Sequence, residues 1–285
     1  MSYEPSHPPT RSTLFTDDGV HLFTQQWSPE EAARAGVVLV HGYAEHCGRY
    51  AHVADALVRE GASVYAYDQR GHGRSEGPRA YIESFDDLLD DLDHVLDAAT
   101  ARLPDGPQFL FGHSMGGLVV LLYALRRSPD VDGLILSAPA IEINPDLAPF
   151  LRRIAGWLGE TVPRLPTVSS IEGAISRDPA VVEEAENDPL NYHGRVLART
   201  GAEMLRAGDM AKDRLDALSF PFLVFHGTAD KLASPAWSKK LYERAASDDK
   251  TIHLYDGLYH ETFNEPEQDE VLSDLRAWLR DRLVD

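Results

Sequence analysis

The chain has one cysteine, Cys47, among its 285 residues. No internal disulfide can form, and a reducing compartment is compatible with that usage. Basic residues are scarce: 27 Lys and Arg stand against 46 Asp and Glu, for a net charge of −19. Such a chain lacks the basic face that nucleic-acid phosphates need, so nucleic acid is excluded as a partner, and electrostatic attachment to anionic lipid is disfavoured. The acidic excess reads as solubility or adaptation to salt. Long apolar runs are also missing. The longest, Leu118 to Leu125, falls far short of the ~20 residues of a membrane span. Met1 to Trp27 mixes Pro, Ser, His, Thr and Asp without a basic start and an apolar run behind it. No signal peptide is expected, and the expected location is cytoplasmic or peripheral at a membrane surface. No Cys/His cluster has zinc spacing and no Gly-x-Gly-x-x-Gly opens a helix, so neither metal nor cofactor is expected.

What is present is a globular chain, 43% hydrophobic and 26% charged, able to bury a large core. Its length fits about two domains, or one α/β core with an insertion. Met1 to Arg11 reads as a loose arm. Ser12–Thr16 and Val20–Trp27 flank Asp17-Asp18-Gly19, a hairpin signal. Gly36–Val40, Ser63–Tyr67, the run from Gln108 and Gly133–Ser137 are short and continuously apolar. Strands buried on both faces of a parallel sheet read that way. Helical spacing lies between them. Val53, Ala54, Leu57 and Val58 stop at Gly61, and Phe85, Leu88, Leu89, Leu92, Val95 and Leu96 follow a Ser84/Asp87 capping pair. Asp86, Asp90, Asp91 and Asp93 on the latter helix read as a solvated face, not a metal site. The alternation predicts a parallel sheet with right-handed crossovers.

From about Pro139 to Leu218 the rhythm breaks. Prolines recur, and Leu147, Phe150, Leu151, Ile154, Trp157 and Leu158 give one helical stripe. Val181–Asn187 and Val196–Ala207 also look helical. Strands resume at Phe222–His226 and Thr251–Tyr255, and Val271–Leu283 closes the chain as an amphipathic helix. The expected organisation is a core of residues 1–139 and 219–285, with a helical cap at 140–218.

Chemistry concentrates at Gly112-His113-Ser114-Met115-Gly116, between an apolar strand and an apolar helix. A serine lifted on such a bend stands above the sheet, with glycine at the flanking positions where the strained backbone admits nothing larger. The helix N-terminus behind it offers N–H groups to a negative oxygen. A serine hydroxyl needs a base, and the base needs a group that fixes its tautomer. In open parallel sheets such groups gather beyond the carboxyl ends of strands. Asp230 follows the strand ending at His226, and His260 follows the strand ending at Tyr255. Serine, acid, histidine is the expected chain order. Ser114 is thus the candidate nucleophile, His260 the general base and Asp230 its orienting acid. The rival acids are Asp256, very near His260 in sequence, and Asp209 or Asp213 in the insertion. Oxyanion donors are expected at the N–H of Met115 and, from the loop His41-Gly42-Tyr43, at that of Tyr43. His41 and His113 read as loop and packing residues. The loop Arg70 to Ser75 reads as a structural turn, since it lacks the Gly-Lys-Ser/Thr ending of a phosphate loop.

These residues also carry a resemblance. HGYAEHCGRY (41–50), DQRGHGRS (68–75), GHSMGG (112–117), NDPL (187–190) and LYH (258–260) resemble the monoacylglycerol lipases, especially bacterial ones, from about Thr13 onward. The resemblance implies an α/β-hydrolase fold: a mostly parallel eight-stranded sheet, flanking helices and a mobile cap over an apolar acyl channel. It implies cofactor-free cleavage of a monoacylglycerol or similar lipid ester to glycerol and fatty acid. It agrees with the triad and with Tyr43 and Met115 as oxyanion donors. It also implies that Glu45 and Arg49 lie near the glycerol end, unless they form only an ion pair that shapes their loop. Two positions depart from the mammalian pattern: Phe263 stands where those enzymes have histidine, and Ala233 where they have cysteine. The stripe at Leu147, Phe150, Leu151, Ile154 and Trp157 has two readings: it only covers the core, or it is a cap and acyl-channel wall that admits substrate and makes transient contact with membrane or micelle. A broader carboxylesterase or lysophospholipase shares the chemistry, and a non-catalytic ligand-binding homologue is the remote alternative.

Overall fold

The computed structural model describes residues 6–143, 149–167 and 174–283, with the side chains of 149–152 left aside. Eight strands form one sheet in the order β1-β2-β4-β3-β5-β6-β7-β8. They are β1 (Thr10–Phe15), β2 (His21–Trp27), β3 (Ala35–Val40), β4 (Ala62–Tyr67), β5 (Gln108–His113), β6 (Gly133–Ser137), β7 (Phe222–Gly227) and β8 (Lys250–Tyr255). β1 and β2 make the expected hairpin, with Gly19 at φ +83° in its turn. The hairpin reaches back to Thr10, so Thr10 and Arg11 are strand where the sequence suggested a loose arm. β2 meets β4 antiparallel, and every pairing from β4 to β8 is parallel.

Helices cover both faces. α1 (Ala51–Arg59) and α8 (Gln268–Arg280) pack one side, where Val53, Leu57, Leu275 and Trp278 join the inward residues of β3 and β5. α2 (Phe85–Thr100), α3 (Met115–Arg127) and α7 (Pro235–Arg244) pack the other. This double cover is why β3, β4, β5 and β6 are apolar almost throughout. Residues 115–125 of α3 are all buried, so no amphipathic pattern marks it. α2 is amphipathic, and Asp86, Asp90 and Asp93 lie on its solvated face as expected, with Asp91 the exception. Asp91 is buried and holds the Arg70 guanidinium at 2.6 and 2.5 Å, while Asp86, Asp90 and Asp93 pair with Arg126 and Arg127. Arg70 stands in a loop between β4 and α2, and sequence spacing gave no sign of that partner.

Between β6 and β7 come α4 (Pro149–Thr161), α5 (Pro179–Asn187) and α6 (Ala198–Lys212). α6 is locked to the core: the buried Glu203 accepts the N–H of Phe85 at 3.0 Å, and Thr200 Oγ1 accepts that of Ile82 at 3.0 Å. Among the described residues no helix is long and apolar enough to cross a membrane.

The strand order places the site. β3 lies between β4 and β5, and Val40 pairs with Gly112, so the loops after β3 and β5 leave the sheet side by side. On the far side Gly227 pairs with Tyr255, which does the same for the loops after β7 and β8. α3 lies hard against this edge: a Cβ on Gly116 would stand 2.2 Å from the carbonyl oxygen of Val40 and 2.4 Å from that of His41. Gly116→Ala is therefore expected to cost about 2–3 kcal/mol of folding free energy. Urea denaturation checks this, and an unchanged midpoint and slope would contradict the close approach.

Candidate active site

Ser114 caps α3 with φ 52° and ψ −116°, left-handed backbone that costs a non-glycine residue about 1–3 kcal/mol. Three main-chain bonds hold it there. Its N–H donates to Ser137 O at 2.9 Å, and its carbonyl accepts from Leu118 at 3.0 Å and Ala140 at 3.0 Å. The strain sits on the serine itself. Gly112 and Gly116 have ordinary φ, and what they provide is room: a Cβ on Gly112 would meet the Gly116 carbonyl oxygen at 2.4 Å. The expectation that the flanking glycines answer backbone strain is corrected accordingly.

Asp230 and His260 come together from the β7 and β8 loops, with His260 Nδ1 2.6 Å from Asp230 Oδ2. A Cβ on Gly227 would lie 2.2 Å from Leu258 O and 2.3 Å from Tyr259 O, so only glycine lets the two loops approach this closely. The Asp230 side chain is fully buried and takes further donors: the N–H groups of Leu232 at 2.7 Å and Ala233 at 3.1 Å, and His226 Nε2 at 2.8 Å. His226, itself buried, is in turn held through Nδ1 by Ser238 Oγ at 2.7 Å. Sequence reasoning passed over His226 as the last residue of a strand; its place four residues before the acid was the available signal. Burial pushes the Asp230 pKa up, but the charge on His260 and the hydrogen bonds of both histidines outweigh it and hold the carboxyl far below the usual range. For His260 burial acts downward, and Asp230 outweighs it, so the net shift is up. The rival acids lie elsewhere: Asp256 accepts from Thr228 Oγ1 at 3.1 Å, and Asp209 faces Lys212 at 3.1 Å.

The loop after β3 lies against the serine. A Cβ on Gly42 would be 3.2 Å from that of Ser114. His41 orders this loop, accepting Gln69 N–H at Nε2 (2.9 Å) and bonding Gly42 O through Nδ1 (2.7 Å). His113 contacts Ser137 Oγ at 2.9 Å, with its ring 4.8 Å from that of His260. Burial first, then a neighbouring histidine, lowers the pKa of both His41 and His113, which keeps them neutral. Phe263 packs edge-on against His113 at 5.0 Å. Glu45 accepts Gly42 N–H at 2.5 Å, Tyr50 O–H at 2.6 Å and Arg49 at 2.8 Å, so the pair does shape its loop. The turn after β4 is structural as well: Asp68 accepts the N–H groups of Cys47 at 2.8 Å and Arg74 at 2.7 Å.

Ser114, His113 and His260 line one cleft with Tyr43, Glu45, Arg49 and Glu261. Its upper wall is Ile175, Val182, Ala185 and Tyr192, from α5 and the segments flanking it. These wall residues were not foreseen, because α5 buries none of its residues and so shows no core pattern. The stripe singled out in the sequence behaves differently. Ile154 and Trp157 are 45% and 62% exposed and are absent from the cleft wall. Leu147 and the side chains of Phe150 and Leu151 lie outside the described residues. The acyl-channel expectation is thus not met at Ile154 and Trp157, which face outward. Tyr192 N–H donates to Ala44 O at 2.8 Å, and His46 Nε2 meets Asp188 at 2.8 Å, tying this wall to the loop after β3.

A family model described as serine aminopeptidase S33 matches residues 31–267. Over 261 residues the chain is 40% identical to a monoacylglycerol lipase of Mycolicibacterium smegmatis, covering 92% of this chain and 93% of that one. It is 35% identical over 276 residues to the monoglyceride lipase of Rattus norvegicus, covering 95% and 90%. The crystal structure of a Paleococcus ferrophilus monoacylglycerol lipase matches with a TM-score of 0.80 at 32% identity, covering 96% of this chain and 99% of that one. Sheet, serine elbow and these likenesses define a serine hydrolase of carboxylic esters with the α/β-hydrolase fold. The chain belongs to the matched family, in its monoacylglycerol lipase branch.

Because Asp230 outweighs burial at His260, the imidazole is expected to titrate above its ordinary 6.5. In Asp230→Asn only burial and the remaining neighbours act, so the pKa should fall. Proton NMR of the histidine ring checks this, and an equal or higher value in the variant would contradict it.

Proposed function

We propose that this protein hydrolyses monoacylglycerols to glycerol and free fatty acid, with Ser114, His260 and Asp230 as its catalytic triad. The observation that carries the reading is the His260–Asp230 contact of 2.6 Å behind a cleft that His260 and the strained Ser114 both line. Ser114 Oγ attacks the ester carbonyl while His260 Nε2 takes its proton. The carbonyl oxygen becomes an oxyanion held by the N–H groups of Met115 and Tyr43. Met115 opens α3, where N–H groups have no partner within the helix. Collapse of the intermediate expels glycerol, which leaves with the proton from His260. Water then gives a proton to His260 and attacks the acyl-serine, and the fatty acid departs as the serine regains its proton. Asp230 keeps Nδ1 protonated throughout, so Nε2 is the nitrogen that exchanges protons.

Residues 140–218 act as a cap on a core of 1–139 and 219–285. The support is that this stretch interrupts the strand succession and supplies the upper wall of the cleft. Its outer surface meets lipid. Ile154 and Trp157 on α4, with Val162 and Leu165 just beyond, are large apolar side chains left in water, a pattern that marks contact surfaces when it is contiguous.

Ser114→Ala should lose ester cleavage by on the order of 10³-fold or more, and a serine-reactive phosphonate should label the parent but not the variant. Activity within tenfold of the parent would remove Ser114 as nucleophile. In a panel of a monoacylglycerol, a lysophospholipid and a short-chain ester, the monoacylglycerol should give the highest kcat/KM; a clear lead for either of the others would replace the substrate assigned here. Trp157→Asp should lower the rate on micellar substrate several-fold, with the rate on a dissolved short ester unchanged. Equal rates on micelles would argue against the contact surface.

A further inference from the structure

Arg49 stands between the two loops that must act on the same carbonyl. It belongs to the short turn Cys47–Tyr50 that precedes α1. Its Nη1 donates to Glu45 Oε2 at 2.8 Å and to Glu261 Oε1 at 2.8 Å, and its Nη2 donates to Glu261 Oε2 at 2.8 Å. The contact with Glu261 is a planar two-point fork, the geometry that fixes direction as well as distance. Glu261 directly follows His260 in the chain. Glu45, on the other side, grips the N–H of Gly42, the residue before Tyr43, at 2.5 Å. One guanidinium thus spans from the peptide next to the oxyanion donor to the residue next to the general base.

Each carboxylate takes a further side-chain donor. Tyr50 O–H donates to Glu45 Oε1 at 2.6 Å, and Asn264 Nδ2 donates to Glu261 Oε2 at 2.8 Å. Both carboxylates are buried and Arg49 is nearly so. Burial alone would raise the pKa of Glu261, and the Arg49 fork outweighs it and holds the carboxyl at about 2. Glu261 N–H also donates to Ile175 O at 2.8 Å, so the base loop is bonded to the cleft wall as well. Buried ion pairs contribute little net stability against apolar residues of equal volume. Their use here lies in registration: no main-chain ladder joins the loop after β3 to the loop after β8, since β5, β6 and β7 stand between those strands.

We propose that Arg49 is a positioning residue that sets the separation between Tyr43 N–H and His260, through Glu45 on one side and Glu261 on the other. It rests on the triad assigned above. It differs from recognition of the glycerol group, because both Nη1 donors and one Nη2 donor of Arg49 are bound to carboxylates of the protein. A misplacement of about 1 Å in such a pair costs on the order of 10²-fold in rate.

The test uses Arg49→Lys, which keeps the charge and loses the fork, and Glu261→Gln, which keeps the shape and weakens it. Active sites are counted by phosphonate labelling, and kcat and KM are measured per labelled site on a monoacylglycerol and on an acetate ester of a phenol. The expected result is a fall in kcat of roughly 10- to 100-fold on both esters, with KM within about threefold. Arg49→Ala should recover part of its rate in millimolar guanidinium. Three outcomes would overturn the proposal: kcat within twofold of the parent in both labelled variants, a loss confined to KM for the monoacylglycerol, or a lower melting temperature with unchanged kcat per site. If one variant does not fold, the other decides. Whether the parent enzyme prefers monoacylglycerol is read separately, so failure of that preference leaves this test standing.

Discussion

A carboxylate with no solvent-exposed side-chain surface must find its hydrogen bonds inside the protein. Asp230 is such a group, and the end of the sheet is arranged around it. Leaving a buried charge without partners costs several kcal/mol, far more than a well-made pair returns. Two main-chain N–H groups and two histidines meet the demand, and the serine hydroxyl of Ser238 steadies the second histidine. The loop between β7 and α7 has little freedom once those bonds are made. His260 is consequently held in one orientation, with Nδ1 committed to Asp230 and Nε2 left for chemistry.

That arrangement works only because the sheet delivers the loops in the right order. Parallel strands covered on both faces present all their carboxyl ends on one edge. The reversal at β3 sets the loop bearing Tyr43 beside the loop bearing Ser114. The pairing of β7 with β8 sets Asp230 beside His260. Glycines at 116 and 227 then allow backbone to touch backbone, at distances that no side chain would permit. The left-handed backbone of Ser114 is strain stored where the hydroxyl is needed, and the surrounding main-chain bonds hold it there. Arg49 adds a charged link that the sheet cannot supply, between loops that leave strands far apart in the order.

The insertion uses a different logic. Its α6 joins the core through Met204, Ala207 and Ala211, and the side chains of its other segments divide between two surroundings. Ile175, Val182, Ala185 and Tyr192 face the cleft, while Ile154 and Trp157 face water. A stripe at helical spacing says only that one side of a helix is apolar. It does not say whether that side meets the core, a substrate or a lipid surface, and here the outward direction was the one realised for Ile154 and Trp157. α5, with none of its residues buried, gave no stripe at all and yet supplies the wall over the serine.

From sequence alone the strands, most helices, the serine turn and the chain order of nucleophile, acid and base could be read. Each rests on contacts between near neighbours: apolar runs, a Gly-x-Ser-x-Gly spacing, a residue just past a strand. The hydrophobic pattern of β3 or β5 is a local statement of burial on both faces, and Ser114 is flagged by residues within two positions of it. Tertiary structure alone decided that His226 shares Asp230 with His260, that Asp91 is buried against Arg70, and that Arg49 joins Glu45 to Glu261. Those pairings bring together groups from separate loops, and their energy depends on distance and burial that no short-range pattern encodes. The physical reason is the same in each case: periodicity records which side of an element avoids water, whereas a buried charge is placed by whatever partner the completed fold brings within about 3 Å of it.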